Sequence, residues 1–463
     1  MTMQNNDANR RLMDSFPPML FGKDLDERLM CMPEYSPDIC QADAGTRLIQ
    51  LSRMADIYIP SQMTREIYSK LYLSMRRALE KKQTMDSVRQ GVQNHRRIIG
   101  QDYNSVLGGE DSFSILGKAG IGKSTAIARS LMASGADEVI TLDAPYTNII
   151  PCISVQCPHD CSVKGMLLSI LGAVDTVLGT RYQERAVVSR LTVDNLIGVV
   201  SQVAANHILL IVVDECQNII RNRHGMNVVS ALTQLINSSG IAICLVGLPE
   251  TELFFREEMH LARRSIGLSY TEMTCDDFFV ELCHVLYSYQ YVANPRSLTP
   301  EVIEVLYQCS GGVIGILLSL LVEAQQVAIL SGKEELTREV ITETFRTRMR
   351  NVRDFVEVKS VKRPQTAGNP AIKEKVLKTA RAQTENTTVK RTESTLGNRS
   401  ENTTGKRMEK SAENIAEREE GRKIAVRMQE DLLNDLLACA REDKTDFTEL
   451  LRGSELIAME IAV

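Results

Sequence analysis

The sequence predicts an α/β protein: a parallel sheet with crossover helices, followed by a small helical unit and a low-complexity tail. Three observations carry that expectation. From about Ser112 to Pro249, short β-rich apolar runs alternate with helical patterns, the signature of a parallel sheet whose connections cross its faces. After about Asp276 the strand-like runs stop and amphipathic helices take over. Beyond about Asn351 the chain turns to Thr, Asn, Lys, Glu and Arg with few aromatics, which buries too little apolar surface to offset chain entropy.

In chain order, residues 1–100 form an extended and helical segment, with proline-punctuated "SFPPML" and "MPEYSPD" preceding the helical pattern "TREIYSKLYLSMRRALEKKQ". Residues 101–275 form the α/β unit. Its strands are expected at "SFSILG", "IIPCISVQCP", "ILLIVVDE" and "IAICLVGLP", with helices at "SVKGMLLSILGAVDTVLG" and "MNVVSALTQLINSS" between them. Residues 276–350 supply the helices "DFFVELCHVLYSY", "TPEVIEVLYQCS", "VIGILLSLLVEAQQVAIL" and "TREVITETFRTRM". Thr299, Pro300 and Glu301 make a good helix start, and Thr337 is a cap. Residues 351–422 read as a basic, disordered linker. Residues 423–463 regain helical periodicity with an acidic face, suiting either a partner or the chain's own body.

Composition narrows the class. A chain of 463 residues with 43% apolar content supports about two or three domains and at least one substantial core. The longest apolar run, Ile314 to Val322, is about half the length that crosses a bilayer, and the polar start is unlike a signal peptide. A cytoplasmic protein without membrane contact is expected. The eleven cysteines show no repeated pair spacing, and several sit in apolar runs, so disulfides are not expected. Net charge is −5, yet Lys359 to Lys410 holds thirteen Lys and Arg against five Glu. A basic segment thus joins an acidic body; it is either a solvated linker or a tether for DNA or an acidic partner.

The chemistry concentrates in "LGKAGIGKST". Gly117 to Ser124 fits G-x-x-x-x-G-K-[ST], after a β-like run and before a helix. Glycines let backbone N–H groups curl around phosphate oxygens, and the helix start adds partial positive charge. Gly117, Lys118, Ala119, Gly120, Ile121, Gly122, Lys123, Ser124 and Thr125 are therefore expected to hold ATP, with Lys123 on the outer phosphates and Ser124 on Mg2+. In "ILLIVVDECQNI" a buried strand delivers Asp214 and Glu215 to its carboxyl end. Asp214 suits Mg2+ through water, and Glu215 suits orienting a water toward the γ-phosphate. The next strand ends in Gly247, Leu248 and Pro249, with Leu248 where many related ATPases carry a polar sensor. Arg263 and Arg264 follow in "MHLARRSIGLSY"; either enters a neighbouring subunit's site, or the pair is a solvated helix end.

With these residues in hand, the chain resembles an AAA+ ATPase, a P-loop NTPase with a helical lid, and more specifically the TnsC/TniB group of transposition regulators. The resemblance runs from about Pro17 to Arg348 and rests on "GKAGIGKST", "VQCPHDCSVKGMLLSILGAVD", "LLIVVDECQNI", "CLVGLPE", "ARRSIGL" and "SGGVIGILLSLLVEAQ" in that order. It implies ATP hydrolysis with Mg2+, rings or helical filaments of the protein around double-stranded DNA with little sequence preference, and a link between a target-selection protein and the transposase subunit. It also makes "CPHDCSVKG" a loop facing the ring interior. Lys164 there is a candidate phosphate-backbone contact, a solvated lysine being the alternative. Cys157, His159 and Cys161 lack a fourth ligand at zinc spacing. Gly311 to Gly315 matches the start of the lid helix, without the sensor arginine many relatives carry; with Leu248, this implies slow or partner-stimulated hydrolysis. The rival readings are a replication-type loader or initiator, and a nucleotide-gated signalling ATPase that does not touch DNA.

Overall fold

Four apolar runs become the parallel centre of a sheet because each is too short for a helix and is enclosed by apolar neighbours on both faces. In the computed structural model, which describes residues 15–82, 84–99, 101–104, 112–141, 148–222, 225–252, 267–353 and 356, the strands are β1 (Phe113–Gly117), β2 (Ile140–Thr141), β3 (Asn148–Gln156), β4 (Ile208–Asp214), β5 (Ala242–Gly247) and β6 (Leu268–Tyr270). Their order is β2-β3-β4-β5-β1-β6. Only β2 runs antiparallel to its neighbour; the other pairs are parallel. The four expected strands are all present, and β2 and β6 are added at the edges.

Alternation along each strand feeds two cores. Ile211 and Val213 of β4 point into one, Leu210 and Val212 into the other. The helices preceding the sheet are α1 (Gly22–Leu29), α2 (Ala44–Leu51), α3 (Gln62–Lys82) and α4 (Met85–Ile98). Those woven through it are α5 (Lys123–Ala133), α6 (Val163–Leu178), α7 (Tyr182–Val188), α8 (Val193–His207), α9 (Gln217–Arg221) and α10 (Gly225–Ser239). On one face α1, α3 and α5 cover the sheet; Ile67, Leu71, Met75 and Leu79 of α3 recur at helical spacing and are fully buried. On the other face lie α6, α8 and α10. Each such buried aliphatic side chain contributes about 1.5–3 kcal/mol.

Helix α4 docks differently. Among its described side chains Gln90, Asn94 and Arg97 are buried, while Val92 and the following Ile99 are exposed. Asn94 Nδ2 donates to Ser238 O at 2.8 Å, and Arg97 bonds Asp194 and Gln234. These polar bonds tie the helix to α8 and α10, beside the packing of Ile98 on Gly198.

The third core belongs to the lid helices α11 (Asp277–Ser288), α12 (Pro300–Ser310), α13 (Ile314–Leu330) and α14 (Arg338–Arg348). Leu51, Met54 and Ile57, from the N-terminal hundred residues, are part of it. Arg47 pins this arrangement: its guanidinium meets Glu334 at 2.6 and 2.8 Å and donates to Tyr291 O at 3.1 Å. Thr337 caps α14 by accepting from Val340 N. Thr299 occupies the cap position of α12 but makes no side-chain cap bond, and Pro300 sets the first turn instead. No single helix among the described residues is long and apolar enough to cross a membrane; α12 and α13 together are bent by 119°, and their apolar residues fill the lid core. Arg263, Arg264, nearly all of 351–422 and the whole of 423–463 lie outside the described residues.

Candidate functional site

Strand β1 delivers the glycine loop to the carboxyl edge of the sheet. Gly117 ends the strand where a Cβ would lie 2.5 Å from Ile121 Cδ1 and 2.8 Å from Tyr270 O, so only glycine fits. Gly120 and Gly122 take φ of +79° and +91°, a region side chains rarely enter, and Gly122 caps the helix that Lys123 opens. Ala119 and Ile121 are the loop's other residues, and Ile121 is buried. The loop turns its backbone around the N-terminus of α5, where unpaired N–H groups and the helix dipole favour an anion.

Lys123 Nζ folds back over this loop, donating to Gly117 O at 2.6 Å and Lys118 O at 2.9 Å. Burial holds its ammonium below the ordinary lysine value, while Asp214 and Glu215 pull it back up. The charged tip is thus poised inside the loop near both carboxylates. Ser124 Oγ lies 3.4 Å from Asp214 Oδ2, bringing together residues ninety positions apart. A hydroxyl and a carboxylate are hard oxygen donors of the kind Mg2+ takes. Thr125 follows in the first turn of α5, beyond the loop.

Strand β4, buried along its first six residues, ends on Asp214. Glu215 N donates to Asp214 Oδ1 at 2.8 Å, and Glu215 sits in the left-handed region at φ +59°. Its carboxylate accepts from Gln217 Nε2. Strand β5 runs beside β4, with Val213 opposite Leu245, so Gly247 and Leu248 emerge next to the carboxylates.

The lid contributes contacts that sequence reading missed. Gly315 N donates to Gly120 O at 2.9 Å, and a Cβ on Gly315 would lie 2.9 Å from that same oxygen. The Gly311–Gly315 stretch therefore rests directly on the phosphate loop. Met63, at the start of α3, is 4.0 Å from a Cβ placed on Gly122. Glu272 pairs with Lys118 at 3.3 Å. The signal for the lid contact was present in the doubled glycines of "SGGVIG"; nothing local marked Met63 or Glu272.

The cysteine loop turns its thiols inward. Cys157 and Cys161 are buried and His159 is exposed, and burial pushes the Cys157 thiol up to about 12. Among the described residues no group of three or more His, Cys, Asp or Glu could hold an ion. The loop is instead tied to the segment after the carboxylates: Asn218 Nδ2 donates to Cys157 O at 3.0 Å, and Cys161 Sγ donates to Asn218 O at 3.3 Å. Lys164 Nζ donates to Leu191 O at 3.3 Å and is half-buried.

Sheet order, glycine loop and paired carboxylates define the class: an AAA+ P-loop NTPase fold, whose members in general hydrolyse nucleotides. Residues 106–255 match the family described as "AAA domain". No curated protein is matched. Among solved structures, the chain is similar to the ORC2 protein of Aeropyrum pernix in ADPNP–ADP complexes, at 16% identity and a TM-score of 0.38, covering 56% of this chain and 66% of that one. It is similar to Aeropyrum pernix ORC1 in complex with DNA at 17% identity and a TM-score of 0.38, covering 57% and 65%. Drosophila ORC bound to DNA gives 11% identity and a TM-score of 0.41, covering 76% and 75%. The chain thus spans just under two thirds of the first two. At these TM-scores the likenesses carry no argument about what this chain binds.

Proposed function

We propose that this chain is an ATPase that regulates DNA transposition, assembling with its own copies on double-stranded DNA and joining a target-selection protein to the transposase. The lid contact is the observation that carries the nucleotide-switch part of this reading. Gly315 N–H is bonded to the phosphate loop's own Gly120 carbonyl, so the loop cannot rearrange around phosphates without the lid helix feeling it. The transposition part is supported by the ordered motifs that resemble the TnsC/TniB group.

Lys123 releases the Gly117 and Lys118 carbonyls and turns to the outer phosphates. Ser124 and Asp214 would hold Mg2+, which would supply charge neutralisation at the phosphates. Glu215 orients water, whose oxygen bonds the γ-phosphorus as the bond to the departing ADP oxygen breaks. Arg263 or Arg264 completes a neighbour's site in the assembled state, and Lys164 touches the DNA backbone once freed from Leu191. Affinity for DNA then comes from phosphate contacts and falls steeply with salt while varying little with sequence.

The test is DNA binding and electron-microscope imaging of the full chain with a nonhydrolysable ATP analogue, with ADP, and as Lys123→Ala. Rings or filaments on random-sequence duplex only with the analogue support the reading. A protein that stays off DNA in every state favours a signalling ATPase, and binding confined to particular sequences favours a replication-type initiator.

A further inference from the structure

Leu248 leaves the tip of β5 without a polar side chain of its own, yet two buried polar groups converge there. A Cβ on Gly247 would lie 3.0 Å from Thr251 Oγ1 and 3.3 Å from Gln217 Oε1. Both oxygens are buried, and neither has a hydrogen-bond partner among the described residues. The other end of the Gln217 amide donates to the Glu215 carboxylate, which fixes which way the amide faces, since its oxygen would repel that carboxylate. The backbone holding Gln217 is itself clamped: Cys216 N donates to Val246 O at 2.9 Å, and Cys216 Sγ donates to Val213 O at 3.1 Å. Gln217 therefore spans a rigid gap between the end of β5 and the carboxylate beyond β4.

We propose that Gln217 is the positioning residue for hydrolysis, its amide aiming the Glu215 carboxylate at the attacking water. Gln217 of α9 and, separately, Thr251 in the turn after β5 put polar atoms at the strand tip where Leu248 has none. This rests on the hydrolysis reading above. The groups act as a unit: Gln217 touches no phosphate and works only through Glu215.

The test measures phosphate release against ATP concentration, with random duplex present, together with binding of a fluorescent ATP analogue. The full chain is compared as wild type, Gln217→Ala, the near-isosteric Gln217→Glu, Thr251→Val, Glu215→Gln and the double variant Gln217→Ala with Glu215→Gln. Gln217→Ala should lower kcat by about tenfold or more with nucleotide affinity within about twofold, an interaction felt in the transition state rather than in binding. Gln217→Glu, which sets like charge beside Glu215 without opening a cavity, should lose at least as much. Thr251→Val should lose less, and the double variant should be no slower than Glu215→Gln alone. Equal losses of affinity and kcat, full activity in Gln217→Glu, or an additive double variant would overturn the proposal while leaving hydrolysis intact. A wild type that releases no phosphate brings down the hydrolysis reading and this proposal with it.

Discussion

The phosphate loop has two walls of unlike construction. One is an extension of the core: β1 and β4 are buried almost end to end and stop at Gly117 and Asp214, so the groups they carry inherit the rigidity of the sheet. The other is lent by the lid through one backbone bond, Gly315 to Gly120, and the Val313 side chain beside Gly120, in a stretch where Gly311 and Gly312 take φ of +58° and +78°. The first wall is built to hold charged side chains still. The second is built to be let go, because one backbone hydrogen bond contributes only about 1 kcal/mol net.

Breaking the sheet wall should have the largest effect. Lys123→Ala removes the ammonium folded back over the loop, and turnover should fall about a thousandfold, roughly 4 kcal/mol, with little change in melting temperature, as seen by phosphate release beside thermal denaturation. Next comes the support behind the lid. Arg47 is 6% exposed and Glu334 21%, so Arg47→Ala strands a partly buried carboxylate and should cost about 3 kcal/mol of lid stability. The Arg47 hydrogen bonds hold Glu334 below its ordinary value of 4.5. That contribution is present above 4.5 and lost as pH falls through the lowered folded value, so the gap between wild type and variant in denaturant titrations should narrow on acidification.

Loosening the lid contact itself should be milder and of a different kind. Gly315→Ala pushes a methyl against Gly120 O, and nucleotide affinity should fall about tenfold, roughly 1.4 kcal/mol, while stability hardly moves; equal damage to stability would show the two walls to be one. The smallest effect separates two caps on the lid. Thr337→Ala should cost about 1 kcal/mol and Thr299→Ala distinctly less, because only Thr337 bonds a backbone N–H; matched melting curves decide it.

Legibility followed the same division. Strands β1, β3, β4 and β5 were readable because each is an apolar run closed by turn residues, and the loop and carboxylates were readable because phosphate chemistry restricts residue type at fixed spacing. Edge strands β2 and β6, of two and three residues, are too short to show a period. The Arg47–Glu334 pair joins residues 287 positions apart, a contact no local pattern encodes. Helix α4 was opaque for another reason: three of its described buried residues, Gln90, Asn94 and Arg97, are polar, which breaks the apolar pattern by which a docked face is recognised. Gln217 was quoted within the carboxylate motif but drew no attention, since an amide two residues on gains meaning only when β5 is seen to end against it.

At position 215 stability and activity pull in opposite directions. A left-handed backbone costs a glutamate about 1 kcal/mol or more, and glycine or asparagine would bear φ +59° with less strain. A chain selected only for folding would therefore drift away from glutamate here, and a variant without the carboxylate proposed to orient water can survive as the hardier protein. If the proposed role of Glu215 and the proposed assembly hold, inactive copies of such a sequence would persist as well-folded subunits able to join assemblies and stall them.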